Sequence, residues 1–170
     1  MMRILVEGYA DRLLMLALQF SDEEVINQKG KFKLAETMLD KYRSVKVVAL
    51  IDEDKLTVKT KSPFLQSFVE REGYSLPYLQ CKSHPENKIH FLIVLRPKAL
   101  EQWSIDAAAQ AKIRLADYNL PSNSKELGRR FKTNLVEHDE AVWRFFKALV
   151  RANPPHIQTL RKWVEEIKAM

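Results

Sequence analysis

Residues 45–51 (VKVVALI) run straight into Asp52-Glu53-Asp54. A nearly unbroken apolar run of this length is the pattern of a strand buried on both faces, as found inside parallel sheets. Parallel neighbours need crossover connections, so the rest of the chain has to supply helices between strands. The pattern of residues 1–118 does so. Residues 2–7 (MRILVE) form a short apolar run that ends in an acid, and Gly8 breaks it before a helix over 10–20. Residues 24–27 read as a weak strand. Gly30 marks a turn before a helix at about 31–43, with Phe32, Leu34, Ala35, Met38, Leu39 and Tyr42 at helical spacing. Ser62-Pro63 is a good N-cap and first-turn pair for a helix over 62–72. Residues 75–81 read as a strand, at an edge because of Pro77. Residues 89–95 (IHFLIVL) read as a second buried strand, and Pro97 opens a helix to about Tyr118.

This alternation predicts an α/β chain with a Rossmann-type, mostly parallel sheet flanked by helices. From Pro121 the pattern changes. Residues 124–133, 138–152 and 155–168 are helical with no strand between them. The expected organisation is an α/β domain over 1–120 and a C-terminal helical extension over 121–170 packed on it, with the boundary at Leu120–Ser124.

Charge and cysteine content narrow the function. The chain carries 28 Lys/Arg against 22 Asp/Glu, and residues 122–170 hold 10 and 6 of these. The basic excess is therefore concentrated in the last third, as suits a polyanion partner. Cys81 is the only cysteine, which excludes an intrachain disulfide and a cysteine-built zinc site. Glu7, Asp11 and Arg12 interrupt the Leu-rich N-terminus, and no small-residue cleavage site follows. With no apolar run near the ~20 residues of a membrane span, the expectation is a cytoplasmic protein without a membrane partner.

In open α/β sheets, ligands bind in the crevice outside the carboxyl ends of the strands. Two strands here end in acids at that edge: the first in Glu7, with Asp11 one helical turn on, and the third in Asp52-Glu53-Asp54. Residues two apart on an extended chain point the same way, so Asp52 and Asp54 are expected to share one ion. If the two strands are neighbours, Glu7 faces that pair. Clustered carboxylates repel, and a hard cation such as Mg²⁺ relieves this while keeping waters for a phosphate substrate.

Val6-Glu7-Gly8-Tyr9-Ala10-Asp11 resembles the first motif of the Toprim domain, and Leu50-Ile51-Asp52-Glu53-Asp54 resembles its second, an Asp-x-Asp at the end of a hydrophobic strand. Gly30 matches a glycine often found between them. The resemblance covers about residues 3–95 and is closest in style to OLD-type nucleases and primase Toprim domains. It implies a Toprim-like fold and Mg²⁺-dependent chemistry, with Mn²⁺ as a substitute, on the phosphodiester backbone of DNA or RNA. It makes Glu7, Asp52 and Asp54 catalytic, with Asp52 and Asp54 holding the metal, Glu7 as acid, base or further ligand, and Asp11 helping with a second metal. A small nuclease in phage defence or DNA repair is the leading expectation. The chain departs from the topoisomerase pattern at Leu56, where a third Asp is common. Glu126 is a weak candidate for the further acid that OLD-type nucleases carry after the sheet.

Blander readings stand beside these. Glu7 and Asp11 can be a loop acid and a first-turn acid that complements the helix dipole. His84, His90, His138 and His156 are scattered, His90 reads as a hydrogen-bonded core or edge histidine, and Cys81 as a packed thiol. Lys55, Arg129, Arg130 and Lys132 are the expected nucleic-acid contacts, with Arg144, Lys147, Arg151, Arg161 and Lys162 as further members of a basic path or as a solvated helix face. The alternative function is a catalytically inactive binding or regulatory module that works with a larger protein partner. A third is a non-Toprim phosphate-handling α/β protein, such as a phosphatase, though no nucleophilic Asp or Cys loop of that type stands out.

Overall fold

The computed structural model describes residues 1–56, 62–133 and 135–170. Among these residues six strands, β1 (Arg3–Val6), β2 (Val25–Asn27), β3 (Val47–Asp52), β4 (Val69–Leu76), β5 (Leu79–Ser83) and β6 (His90–Leu95), form one sheet in the order β2-β1-β3-β6-β5-β4. The first four in that order are parallel, and β5 and β4 add on antiparallel. Helices α1 (Tyr9–Ala17), α2 (Lys31–Leu39), α3 (Pro63–Gln66), α4 (Leu100–Ala111), α5 (Ser124–Phe131), α6 (Glu140–Ala152) and α7 (Pro155–Ala169) cover it. The chain is thus α/β, with a mostly parallel sheet in a Rossmann-like arrangement. No helix among the described residues is long and apolar enough to cross a membrane.

Strand alternation divides the core between the two faces. Ile4, Val6, Val48, Leu50, Ile93 and Leu95 face a large cluster that includes α1, α4, α6 and α7, with Trp103, Phe145 and Phe146 fully buried. Leu5, Ala49, Ile51, Leu92 and Val94 face a smaller cluster capped by α2 and α3. The helices beyond Pro121 therefore contribute to the same apolar cluster as β1, β3 and β6. His90 lies buried in its strand, within 2.9 Å of the Tyr42 carbonyl through Nε2. Cys81 is a buried thiol.

Three expected elements differ from those observed. The helix at Ser62-Pro63 does start there, with Ser62 Oγ accepting from the Leu65 amide, but it ends at Gln66. The following VEREGYSL is β4, paired with β5 from Val69↔Ser83 to Leu76↔Leu79. Glu and Arg favour helix locally, but pairing in a hairpin overrides that preference. Gly73, at φ +83°, sits within the irregular part of this pairing. The expected 75–81 strand is in fact the end of β4, a turn at Pro77-Tyr78 and the start of β5. Exposed Glu70 and Glu72 keep the edge strand polar. The helix expected from Pro97 begins only at Leu100, because Lys98 takes a left-handed conformation (φ +63°) and turns the chain. It ends at Ala111, and a separate 3₁₀ turn spans Leu115–Tyr118.

Candidate active site

The order β2-β1-β3 makes the gap between β1 and β3 the point where connections part. After β1 the chain enters α1 on the face of the large cluster. After β3 it passes towards α3 on the face of the small one. A crevice opens at such a switch point, outside the carboxyl ends of the strands. The register Val6↔Leu50 brings Glu7 and Asp52 to that crevice. The Asp52 amide donates to Glu7 Oε1 at 3.4 Å. Asp52 Oδ1 accepts from the Leu100 amide at 3.0 Å, which ties the tip of β3 to the first turn of α4.

The crevice holds about 640 Å³ and is lined by Glu7, Asp11, Asp52 and Glu101, with Lys29, Lys55 and Lys132 around them. On the β2 side, the Gln28 amide donates to the Val6 carbonyl and the Gly30 amide to the Glu7 carbonyl. Gly30 stands at φ +121°, a conformation that favours glycine, so the turn that frames Glu7 needs this residue. Asp11 accepts from the Gly8 amide at 3.0 Å and so caps its own helix as well as facing the crevice.

Burial decides the acidity of these groups. Desolvation, then the charges of Glu7 and Asp54, raises Asp52 to about 8. Desolvation, then the charges of Asp52 and Glu7, holds Asp11 well above the usual carboxylate value. Glu7 is raised by desolvation, against the opposing charge of Lys55. The carboxylates thus lie in an environment that disfavours their ionised forms, and a cation would reverse that preference.

Asp54 differs from the expectation. Glu53–Leu56 is a 3₁₀ turn and not a continued strand, so the two-residue repeat fails and Asp54 does not line the crevice beside Asp52. Asp54 is exposed, and its amide donates to the Lys98 carbonyl. Its charge still acts on Glu7 and Asp52. Glu53, between the two, braces the site: it accepts from Arg96 Nε at 2.7 Å and from the Lys98 amide at 3.4 Å. Among the described residues, no three His, Cys, Asp or Glu side chains form a group able to hold a metal ion in this arrangement. Glu7, Asp11, Asp52 and Glu101 nevertheless line one crevice, and carboxylate oxygens are the donors a hard cation takes.

The basic residues divide similarly. Lys55 and Lys132 line the crevice. Arg129 is exposed on α5 and does not line it. Arg130 is committed elsewhere: it pairs with Asp139, the N-cap of α6, with Nη2 to Oδ1 at 3.1 Å. Glu126 is exposed and lies outside the crevice.

One crevice residue and one neighbour of it carried no motif signal in the sequence. Glu101, in the first turn of α4, lines the crevice, and its charge raises both Asp11 and Asp52. An acid there is ordinary for the helix dipole, so it gave no signal. Lys31, the first residue of α2, is buried beside the site without lining the crevice; burial, then the charge of Lys55, lowers its pKa against the opposing charges of Glu7 and Asp54. A lysine at a helix N-terminus opposes the dipole, and that mismatch was the available clue. In comparisons with known proteins, no family model, no characterised protein and no solved structure matches this chain.

Proposed function

We propose that this chain is a small Toprim-like nuclease that uses Mg²⁺ to cleave the phosphodiester backbone of nucleic acid. The observation that carries this reading is the meeting of Glu7 and Asp52 at the switch point, 45 residues apart in sequence and joined by an amide-to-carboxylate hydrogen bond. Around them stand two more acids and three lysines in one crevice. Acids of this kind hold a hard cation and lysines hold phosphate, so the crevice carries both halves of a phosphodiester site.

Glu7 and Asp52 would hold the cation, with Asp11 and Glu101 lining the same crevice. When bound, the cation polarises the phosphate and stabilises the attacking or leaving oxygen. Lys29, Lys55 and Lys132 neutralise the strand that enters the crevice. Glu7, joined to the Asp52 amide, would serve either as a ligand of the cation or as the group that moves a proton at the attacking or leaving oxygen. The Leu100 amide and the Glu53–Arg96 bridge fix the tip of β3, which keeps Asp52 in place.

A second reading is favoured by the exposed Asp54 and by the absence of a three-ligand group among the described residues. On that reading the chain keeps the crevice for binding and does no chemistry. The test is cleavage of plasmid and single-stranded substrates with Mg²⁺ or Mn²⁺. Metal-dependent cleavage that is lost in Asp52→Ala supports the nuclease. Salt-sensitive binding without cleavage supports the binding module. Hydrolysis of a small phosphoester without affinity for nucleic acid supports neither and points to a phosphatase.

A further inference from the structure

The polar face of α6 carries a second groove, distinct from the acidic crevice. It encloses about 440 Å³ and is lined by Tyr118, Glu140, Trp143, Arg144, Lys147 and Arg151. The opposite face of α6 buries Val142, Phe145, Phe146 and Leu149 in the core, which fixes the direction of the polar face. Arg144, Lys147 and Arg151 are three and four residues apart, so they stand along one side of the helix. Arg144 lies over the Tyr118 ring at 5.8 Å, and Lys147 over the Trp143 ring at 5.6 Å.

Arg12, Arg96, Arg130 and Lys168 each have a carboxylate partner. Among the described residues, Arg144, Lys147 and Arg151 form no such ion pair, and Glu140 is the one acid lining their groove. Three like charges on one helix side cost stability in an isolated protein. A polyanion offsets that cost. Two half-buried aromatic rings beside the cations add a surface that phosphate alone does not use.

We propose that this groove binds single-stranded nucleic acid, with phosphates on Arg144, Lys147 and Arg151 and unstacked bases on Trp143 and Tyr118. Basic grooves with aromatic platforms take single strands because every base offers a face for stacking, whereas a duplex keeps its base faces covered. The inference rests on the nuclease reading and deepens it: the groove selects single-stranded segments for the crevice.

The test uses the full-length protein and a fluorescently labelled oligothymidylate, beside a duplex of equal length. The triple variant R144E/K147E/R151E loses at least tenfold in single-strand affinity. Its salt slope falls by about 2, since each phosphate contact on a single strand contributes about 0.7. Trp143→Leu weakens binding with an unchanged salt slope. It also abolishes the quenching of intrinsic fluorescence by the oligonucleotide, because Trp103 and Trp163 are buried. Both variants still hydrolyse bis(p-nitrophenyl) phosphate with Mn²⁺ at the wild-type rate, which shows an intact fold and crevice. Unchanged single-strand affinity in the triple variant overturns the assignment while leaving the nuclease reading in place. An equal loss for duplex and single strand overturns it too, as does binding to anionic vesicles in preference to the oligonucleotide. A wild type that neither cleaves nor binds nucleic acid removes both.

Discussion

The backbone amide of Asp52 donates to Oε1 of Glu7 across 3.4 Å, which joins the tips of two adjacent parallel strands. The bond places two carboxylates where burial opposes their charge. A site arranged in this way stores a conflict that a cation or a proton relieves.

Asp52→Asn keeps the acceptor for the Leu100 amide and removes the charge. Because its folded-state pKa is raised to about 8, Asp52 favours folding most below the ordinary carboxylate range, and that contribution is lost as pH rises through 8. The variant is therefore expected to be more stable than wild type at pH 8.5 by at least about 1 kcal/mol, or roughly 2–4 °C in Tm. The gain shrinks towards pH 5. Thermal melts at both pH values, without divalent metal, check this. Metal-dependent cleavage is expected to be abolished in the same variant.

Mg²⁺ or Mn²⁺ is expected to raise the Tm of wild type in a saturable way, by about 2.7 kcal/mol in stability at a hundred times Kd. Protons compete for the same carboxylates, so the shift is larger at pH 8.5 than at pH 6. Glu7→Gln reduces the shift and Asp52→Asn reduces it most. Differential scanning fluorimetry with a metal titration, and EDTA as the reverse step, reads this out.

Arg130 and Lys132 are two residues apart but have different duties. Arg130→Ala breaks the pair that steadies the α6 N-cap and is expected to lower stability by about 0.5–1 kcal/mol, with KM for nucleic acid unchanged. Lys132→Ala leaves Tm unchanged and raises KM several-fold at low salt. Melts and steady-state kinetics on the two variants separate these outcomes.

Gly128 lies in α5 where an added Cβ would come within 2.8 Å of Glu101 Oε1 and 3.1 Å of its Cδ. The clash is with the mobile end of a side chain, so Gly128→Ala is expected to fold, helped by up to about 1 kcal/mol of helix propensity. Glu101 must swing away. The expected result is an unchanged or raised Tm with a changed metal affinity, measured by calorimetric titration of Mn²⁺.

The sheet was legible because its central strands are apolar runs, and no local alternative suits residues 47–52 or 90–95. The crevice acids were legible because Glu7 and Asp52 close such runs. The β4–β5 hairpin was not: its first strand is written in Glu and Arg, and it becomes a strand only through its partner. Asp54 was misplaced because the chain turns into a 3₁₀ helix directly after Asp52, and extended spacing no longer applies. Glu101 was missed because it reaches the crevice from a helix 49 residues further along than Asp52, brought there by the Leu100 amide on Asp52. Arg130 looked like a free cation because its partner is Asp139, and helical spacing does not reach across the intervening loop.

The most direct test is a crystal soaked in Mn²⁺ and measured for anomalous scattering. The proposed metal site predicts a peak between the tips of β1 and β3, bound by carboxylate oxygens of Glu7 and Asp52. At saturating Mn²⁺, a crevice without a peak, or a peak bound only by Asp54 on the outer turn, contradicts it.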